Sequence, residues 1–346
     1  MHNRSSKYWR ERMLLLEEVL HDRGIEYYHD LEQMYRDAVL TTNKELLVYY
    51  GKLAANNDIS MREARKLLTT NELKEFRWTV EEYIAKAEEN VLTQAWSKQL
   101  KNASLRYRIS RLEAMKILMQ NQVELLMGNE VDGISKLMGD IYTEGYYRTR
   151  HILDTGIGIG HSFAALDTKT IEKVVAKPWV ADGRNFSERI WGQHRPQLIN
   201  DLHKGLSQAV IRGESSEKLV KYITKKYGVA KSRAENLVLT ERAFFSSTSE
   251  QESYKELGVE YQEFCATLDE RTSDICRSMD GKVFKTSEIE IGVNAPPLHC
   301  RCRSVMVPYF EGSYVGERAA RDKDGNHILI DANMKYYDWY EKFIKK

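Results

Sequence analysis

The stretch Phe264–Pro308, FCATLDERTSDICRSMDGKVFKTSEIEIGVNAPPLHCRCRSVMVP, decides how this chain reads. It contains all 4 cysteines of the sequence, Cys265, Cys276, Cys300 and Cys302, together with His299, the Pro296-Pro297 pair and Asp280-Gly281. Cysteines used as scattered core filler would not gather in this way. The local pattern is that of short strands. Val259 to Leu268 alternates, with Tyr261, Phe264, Ala266 and Leu268 at apolar positions, and Arg301 to Val307 alternates again. Met279-Asp280-Gly281-Lys282 carries the signature of a two-residue hairpin turn. The stretch predicts a small β-rich module that is cross-linked or clipped by a metal.

Outward from this module the texture is helical. Residues 1 to about 130 contain no proline and only Gly24, Gly51 and Gly128, so strong punctuators are scarce. Apolar residues recur at helical spacing in Trp9, Met13, Leu16, Leu20 and again in Leu105, Ile109, Leu112, Met115, Met119. Ser60 with Glu63, and Thr69-Thr70 with Glu72, look like helix starts. Residues 151–170, with Gly156, Gly158 and Gly160, read as a connector, because no strand precedes these glycines as a phosphate-binding loop requires. Helices resume from about 170, with an apolar stripe at Leu198, Leu202, Leu206 and Val210. Gly228 is expected to close one helix before another runs from Lys231 to Leu257. The tail from Asn333 looks like a short amphipathic helix. The predicted fold is therefore mainly α, with long helices in the N-terminal body and short strands and a hairpin at about 258–310. In series the blocks are a helical domain 1–150, a connector 151–170, helices and β-module 171–310, and a tail 311–346.

Composition narrows the function. A length of 346 residues allows roughly two domains, and 42% hydrophobic with 30% charged residues suits a folded chain. A net charge of +1 gives no overall attraction to nucleic acid or membrane. The exception is local: Lys98, Lys101, Arg106, Arg108, Arg111 and Lys116 face Glu113 alone. Lys101, Arg108 and Arg111 share a helix face that suits either a DNA backbone or acids on a neighbouring helix. No apolar run reaches the roughly 18 residues that span a bilayer. The opening MHNRSSKYWRERMLLLEEVL lacks the apolar core of a signal peptide. Synthesis in the cytoplasm is expected, where thiols stay reduced, which favours metal or packing over disulfides.

Three chemistries compete for the cysteine cluster. Zinc held by His299-x-x-Cys302 and Cys276 would need a fourth ligand for closed tetrahedral coordination. Buried inert thiols are an equal alternative, free cysteine being among the most buried residue types. A cysteine nucleophile paired with His299 is the third, although no neighbouring motif supplies an oxyanion site. Asp269 is expected to pair with Arg271, Arg301 or Arg303, and Glu241 to be a partly buried structural carboxylate.

These residues resemble the minor head proteins of tailed bacteriophages, the phage Mu protein F-like or head-morphogenesis group. The motif elements are Thr240-Glu241, Gly258-Val259, Phe264, Asp269-Glu270-Arg271-Thr272, Cys276, Met279-Asp280-Gly281, Pro296-Pro297-Leu298-His299 and Cys302-Arg303. FSERIW, GLSQAVIRGESSEKL and LVLTERAFF upstream look like the same group's helical part. Residues 171–310 would form its shared domain. Two cysteines of the group's pattern are Ser273 and Ser304 here. Their joint loss implies that the two positions are neighbours and leaves Cys276, His299 and Cys302, either with Cys300 or Cys265 as the fourth zinc ligand or with no metal bound. The resemblance implies a non-enzymatic virion component inside the phage head, made in the host cytoplasm, that acts near the portal in assembly, DNA packaging or ejection. Implied partners are the portal protein, scaffold or major capsid protein, and DNA through Lys98, Lys101, Arg108 and Arg111, with no membrane. The alternatives are a DNA-binding ejected virion protein, and a metal-dependent nuclease or ADP-ribosyl transferase.

Overall fold

The computed structural model describes residues 5–56, 60, 111–157, 165–178, 183–212, 214, 216–310, 317–322, 326–331, 334 and 336–343. The basic residues Lys98, Lys101, Arg106 and Arg108, the helix starts at Ser60–Glu63 and Thr69–Glu72, and Gly158 and Gly160 lie wholly or partly outside them.

Among the described residues three long helices dominate: α1 (Ser6–Asn56), α2 (Arg111–Ile157) and, after α3 (Thr168–Val175), α4 (Phe186–Arg189) and α5 (Arg195–Arg212), the long α6 (Ser216–Glu256). A π-helical turn, Ile190–His194, joins α4 to α5. The expected break at Gly228 does not occur, and α6 runs through it. One glycine costs a helix about 1 kcal/mol, which the buried stripe Leu219, Ile223, Tyr227, Ala230, Ala234 outweighs. Gly228 is exposed, and a Cβ there would meet nothing within 4 Å. Gly228→Ala should therefore raise stability by about 0.5–1 kcal/mol, read as an increase in the urea midpoint at unchanged m-value.

The spatial division is not serial. One compact unit draws on Met1–Tyr28, Ile134–Asn185 and Asn236–Lys346, and the other on His29–Gly133 and Phe186–Glu235. α1, α2 and α6 each contribute residues to both. Helix α2 also runs through residues 151–157, where the connector was expected to begin. Gly156 is there for packing: a Cβ on it would lie 2.2 Å from the Trp9 ring.

In the second unit, Leu31, Tyr35 and Leu46 of α1 are buried, as are Met119, Val123 and Met127 of α2. Leu198, Leu202 and Leu206 of α5 are also buried, as the stripe predicts. Polar residues are buried in pairs. Arg195 grips the buried Glu124 carboxylate, and Tyr35 donates to Glu130 at 2.9 Å. Burial pushes the Glu130 carboxyl up to about 7 against that hydrogen bond.

The first unit carries the β-module. Strands β1 (Tyr261–Cys265), β2 (Val283–Lys285) and β3 (Val305–Tyr309) form an antiparallel sheet in the order β2-β1-β3, with Gln262 opposite both Phe284 and Pro308. The sheet packs on the helices through buried polar ties. Gln262 and Gln251 of α6 exchange amide hydrogen bonds at 2.7 and 2.9 Å, Tyr254 donates to the Met306 carbonyl at 2.8 Å, and Arg10 of α1 pairs with Glu263. These ties fix the register, since a one-residue slip would aim Gln262 and Glu263 away from their partners.

Between β1 and β2 lies a short helix, α7 (Asp274–Met279). Ser273 caps it by accepting from the Cys276 N–H. Asp280-Gly281 therefore turns the chain out of a helix into β2 and is not the tip of a two-residue hairpin. Its geometry is that of a helix end, with Gly281 at φ +74°. A second hairpin, β4 (Glu317–Arg321) with β5 (His327–Asp331), was not foreseen, because its strands are short and charge-rich. It packs with α8 (Tyr336–Phe343), the expected tail helix, in a cluster of Leu268, Ala320, Ile330 and Trp339.

Candidate metal centre

Cys276, His299 and Cys302 come together: their ligand atoms all lie within 4.8 Å of one another. α7 delivers Cys276 from one side, and the turn after the cis Pro296-Pro297 peptide delivers His299 and Cys302 from the other. Both cysteines are buried and His299 is partly exposed.

The turn is held from behind by α6. Arg301 adopts φ +59°, the left-handed region that residues with a Cβ enter at a cost of roughly 1–2 kcal/mol. Its N–H donates to the Thr240 hydroxyl at 3.1 Å, which fixes that conformation. Two residues along α6, Arg242 donates to the Cys302 carbonyl at 3.3 Å and to Glu17 of α1 at 2.6 Å. Arg242 is fully buried, and Glu17 nearly so. Asp269 receives both ends of the Arg303 guanidinium at 2.6 and 2.9 Å and the Arg271 N–H at 2.9 Å, the pinning role expected of it. Arg303 and the other Asp269 hydrogen bonds hold its carboxyl below the ordinary range despite burial.

The donor set fits a tetrahedral cation. Two thiolates on zinc at about 2.3 Å lie roughly 3.7–3.8 Å apart, and the Cys276 and Cys302 sulfurs are 3.7 Å apart. His299 Nδ1 lies 2.8 Å from the Cys300 carbonyl, an acceptor only, so Nδ1 carries the hydrogen and Nε2 is left to ligate. Metal-bound imidazoles are oriented by such second hydrogen bonds. The protonation pattern agrees. The hydrogen bond to Cys276 and the one to His299 hold the Cys302 thiol well below its usual range, aided by backbone hydrogen bonds from Ser304 and Leu298. The same contact with Cys302, then burial, pushes Cys276 up. His299 is raised by its contact with Cys302. The shared contact thus favours ionisation of one sulfur ahead of the other, supplying the kind of charge that a cation would neutralise.

The two candidates for a fourth ligand fall outside this trio. Cys265 is buried on β1, and Cys300 is exposed. Ser273 and Ser304 do converge on Cys276, since both side chains lower the pKa of its thiol. Glu241 is buried at 3% exposure. Its neighbour Arg242, which braces the centre, was missed. The available signal was a cation in the apolar run LVLTERAFF.

Residues 200–307, which include the trio and its braces, match the family described as Phage Mu protein F like protein. The chain is also 21% identical to the Minor head protein GP7 of Bacillus phage SPP1 over 268 residues, covering 72% of this chain and 85% of that protein. An uncharacterized protein of Haemophilus influenzae is 22% identical over 119 residues, which cover 34% of this chain and 27% of that protein. No solved structure matches. These matches bear out the resemblance carried by residues 240–303: the chain has a Mu F-like region and is similar to a minor head protein over most of its length. Among the described residues no helix is long and apolar enough to cross a membrane.

Proposed function

We propose that this chain is a structural minor head protein of a tailed phage, acting inside the head near the portal vertex in assembly, DNA packaging or ejection. The observation that carries this reading is the similarity to a minor head protein across 72% of the chain, with the Mu F-like match lying inside it. The portal protein and a scaffold or major capsid protein are the proposed partners. Cys276, His299 and Cys302 would hold zinc as a structural clip. The ion would supply folding free energy by tying α7 to the turn before β3. The enclosed trio suits a clip, because its two sulfurs are shut away from solvent and the turn is braced by Thr240 and Arg242.

The test is co-expression of the full chain with the portal, scaffold and major capsid proteins of its own phage, followed by affinity capture on a tagged portal. The expected result is stoichiometric co-elution with the portal oligomer that survives nuclease treatment. Capture of none of these proteins, or complete loss after nuclease, would overturn the reading. α1 supplies core residues to both compact units, so the intact chain is the form to use.

A further inference from the structure

Beside the metal centre, and sharing none of its ligands, a cavity of about 270 Å³ opens between α1, the residues following β1, and β4. Leu14, Ala266, Leu268 and Ala320 give it apolar walls. Its polar lining comes mainly from one face of α1, with Glu17, Glu18, His21 and Asp22 opposite Arg303.

The charges of this lining do not cancel. Arg303 is committed to Asp269 through both ends of its guanidinium. Glu17 gives only Oε2 to Arg242, and its Oε1 has no hydrogen-bond partner although the side chain is 7% exposed. His21 is held neutral, because burial and then Arg242 and Arg303 lower its pKa to about 4, and its Nδ1 also has no partner. Glu18 and Asp22 are exposed and make no ion pair with a described residue. The cavity therefore combines apolar walls, two uncompensated carboxylates and two unused buried acceptors.

A phosphate or nucleic acid would meet that negative charge. A purely apolar group would leave the acceptors unmatched. A long aliphatic stem with a cationic head satisfies both halves, as lysine and arginine side chains do when the stem lies on apolar surface and the charge reaches polar groups. We propose that this cavity is a docking site for a basic side chain, lysine or arginine, presented by a protein partner of this chain. The stem lies against Leu14 and Leu268, and the head reaches Glu18 and Asp22, with Glu17 and His21 as acceptors behind them. Pockets of this kind, in which one anchoring side chain is enclosed, dominate the energetics of many interfaces.

The experiment follows the leucine methyl NMR signals of Leu14 and Leu268 in the full chain during titration with N-acetyl-arginine amide. N-acetyl-citrulline amide, with the same shape but no charge, and magnesium chloride serve as separate probes. The expected result is a saturable shift of both methyls by the arginine amide at millimolar concentration. That binding should weaken about tenfold in the Glu18→Gln/Asp22→Asn variant, and citrulline amide should be correspondingly weak. Both substituted residues are exposed, so the variant keeps the parent thermal midpoint. Absence of any shift up to roughly 50 mM overturns the proposal, as do equal shifts with citrulline amide or saturation by magnesium alone.

Discussion

Replacing Arg242 by methionine is expected to lower the unfolding free energy by about 3–5 kcal/mol. Arg242 has a fully buried side chain, and Glu17, its partner at 2.6 Å, is 7% exposed. Removing the cation strands a carboxylate in the core. The pair itself does not offset its own burial. Burial raises the Glu17 pKa by more than the Arg242 contact lowers it, so the proton is held more tightly in the folded chain than in the unfolded one. A raised folded pKa contributes stability at low pH that is lost as pH rises through it. Loss of the Arg242 cation raises the Glu17 pKa further, so the R242M penalty should shrink as pH falls and grow as pH rises, as Glu17 takes up the proton that replaces its lost cation. Glu17→Met/Arg242→Met should recover most of the loss, since apolar replacement of a buried pair is often neutral or stabilising by about 1–4 kcal/mol. Recovery would stop short of completeness, because the Cys302 carbonyl loses its donor. Urea unfolding of the two singles and the double decides it. Additive losses, or a single-variant cost below about 1 kcal/mol, would show that the pair is not the brace described.

The same residue marks where the sequence stops being legible. The module was readable from composition, because cysteines, prolines and a histidine rarely gather without a shared spatial role. Helical body and short strands followed from periodicity, which depends only on near neighbours. What could not be read were distant contacts. Arg242 and Glu17 are 225 positions apart, and no local rule pairs them. Gly228 was read as a stop because propensity is local, whereas burial of Ile223, Tyr227 and Ala230 in one continuous stripe is a tertiary term that outweighs it. The serial boundary near 150 rested on the glycines of residues 151–170. Gly156, however, lets α2 approach Trp9, and the compact units interleave segments from across the chain. Asp280-Gly281 was correctly seen as a turn, but Ser273 as a helix cap went unrecognised, so the turn was placed between strands. Cys276, His299 and Cys302 were singled out and converge, while Cys265 and Cys300 could be separated from them only by knowing which way each side chain faces.

Metal analysis of the purified chain is expected to find about one zinc per molecule, with chelation lowering the thermal midpoint by about 5 °C or more. Cys276→Ser and Cys302→Ser should each abolish stoichiometric binding, because only two of the three convergent donors would remain. Cys265→Ser and Cys300→Ser should leave the zinc content unchanged, since neither residue belongs to the convergent trio. Binding must displace the proton that Cys276 holds tightly beside Cys302. Affinity should therefore fall as pH falls, with protons released on loading. Ser304 gives the sharpest test of the coordination. It is buried at 7% exposure and its side chain lowers the pKa of the Cys276 thiol. Ser304→Cys is nearly isosteric and would add a thiolate at the rim of the trio, so zinc should be held at least about tenfold more tightly in a competition with a chromophoric chelator. If Ser304→Cys leaves affinity unchanged while the parent binds zinc, the fourth position is filled from elsewhere and Ser304 faces only the thiol. Zinc well below stoichiometric, with the same melting temperature in chelator and in Cys302→Ser, would instead return the cluster to buried thiols in a hydrogen-bonded pair.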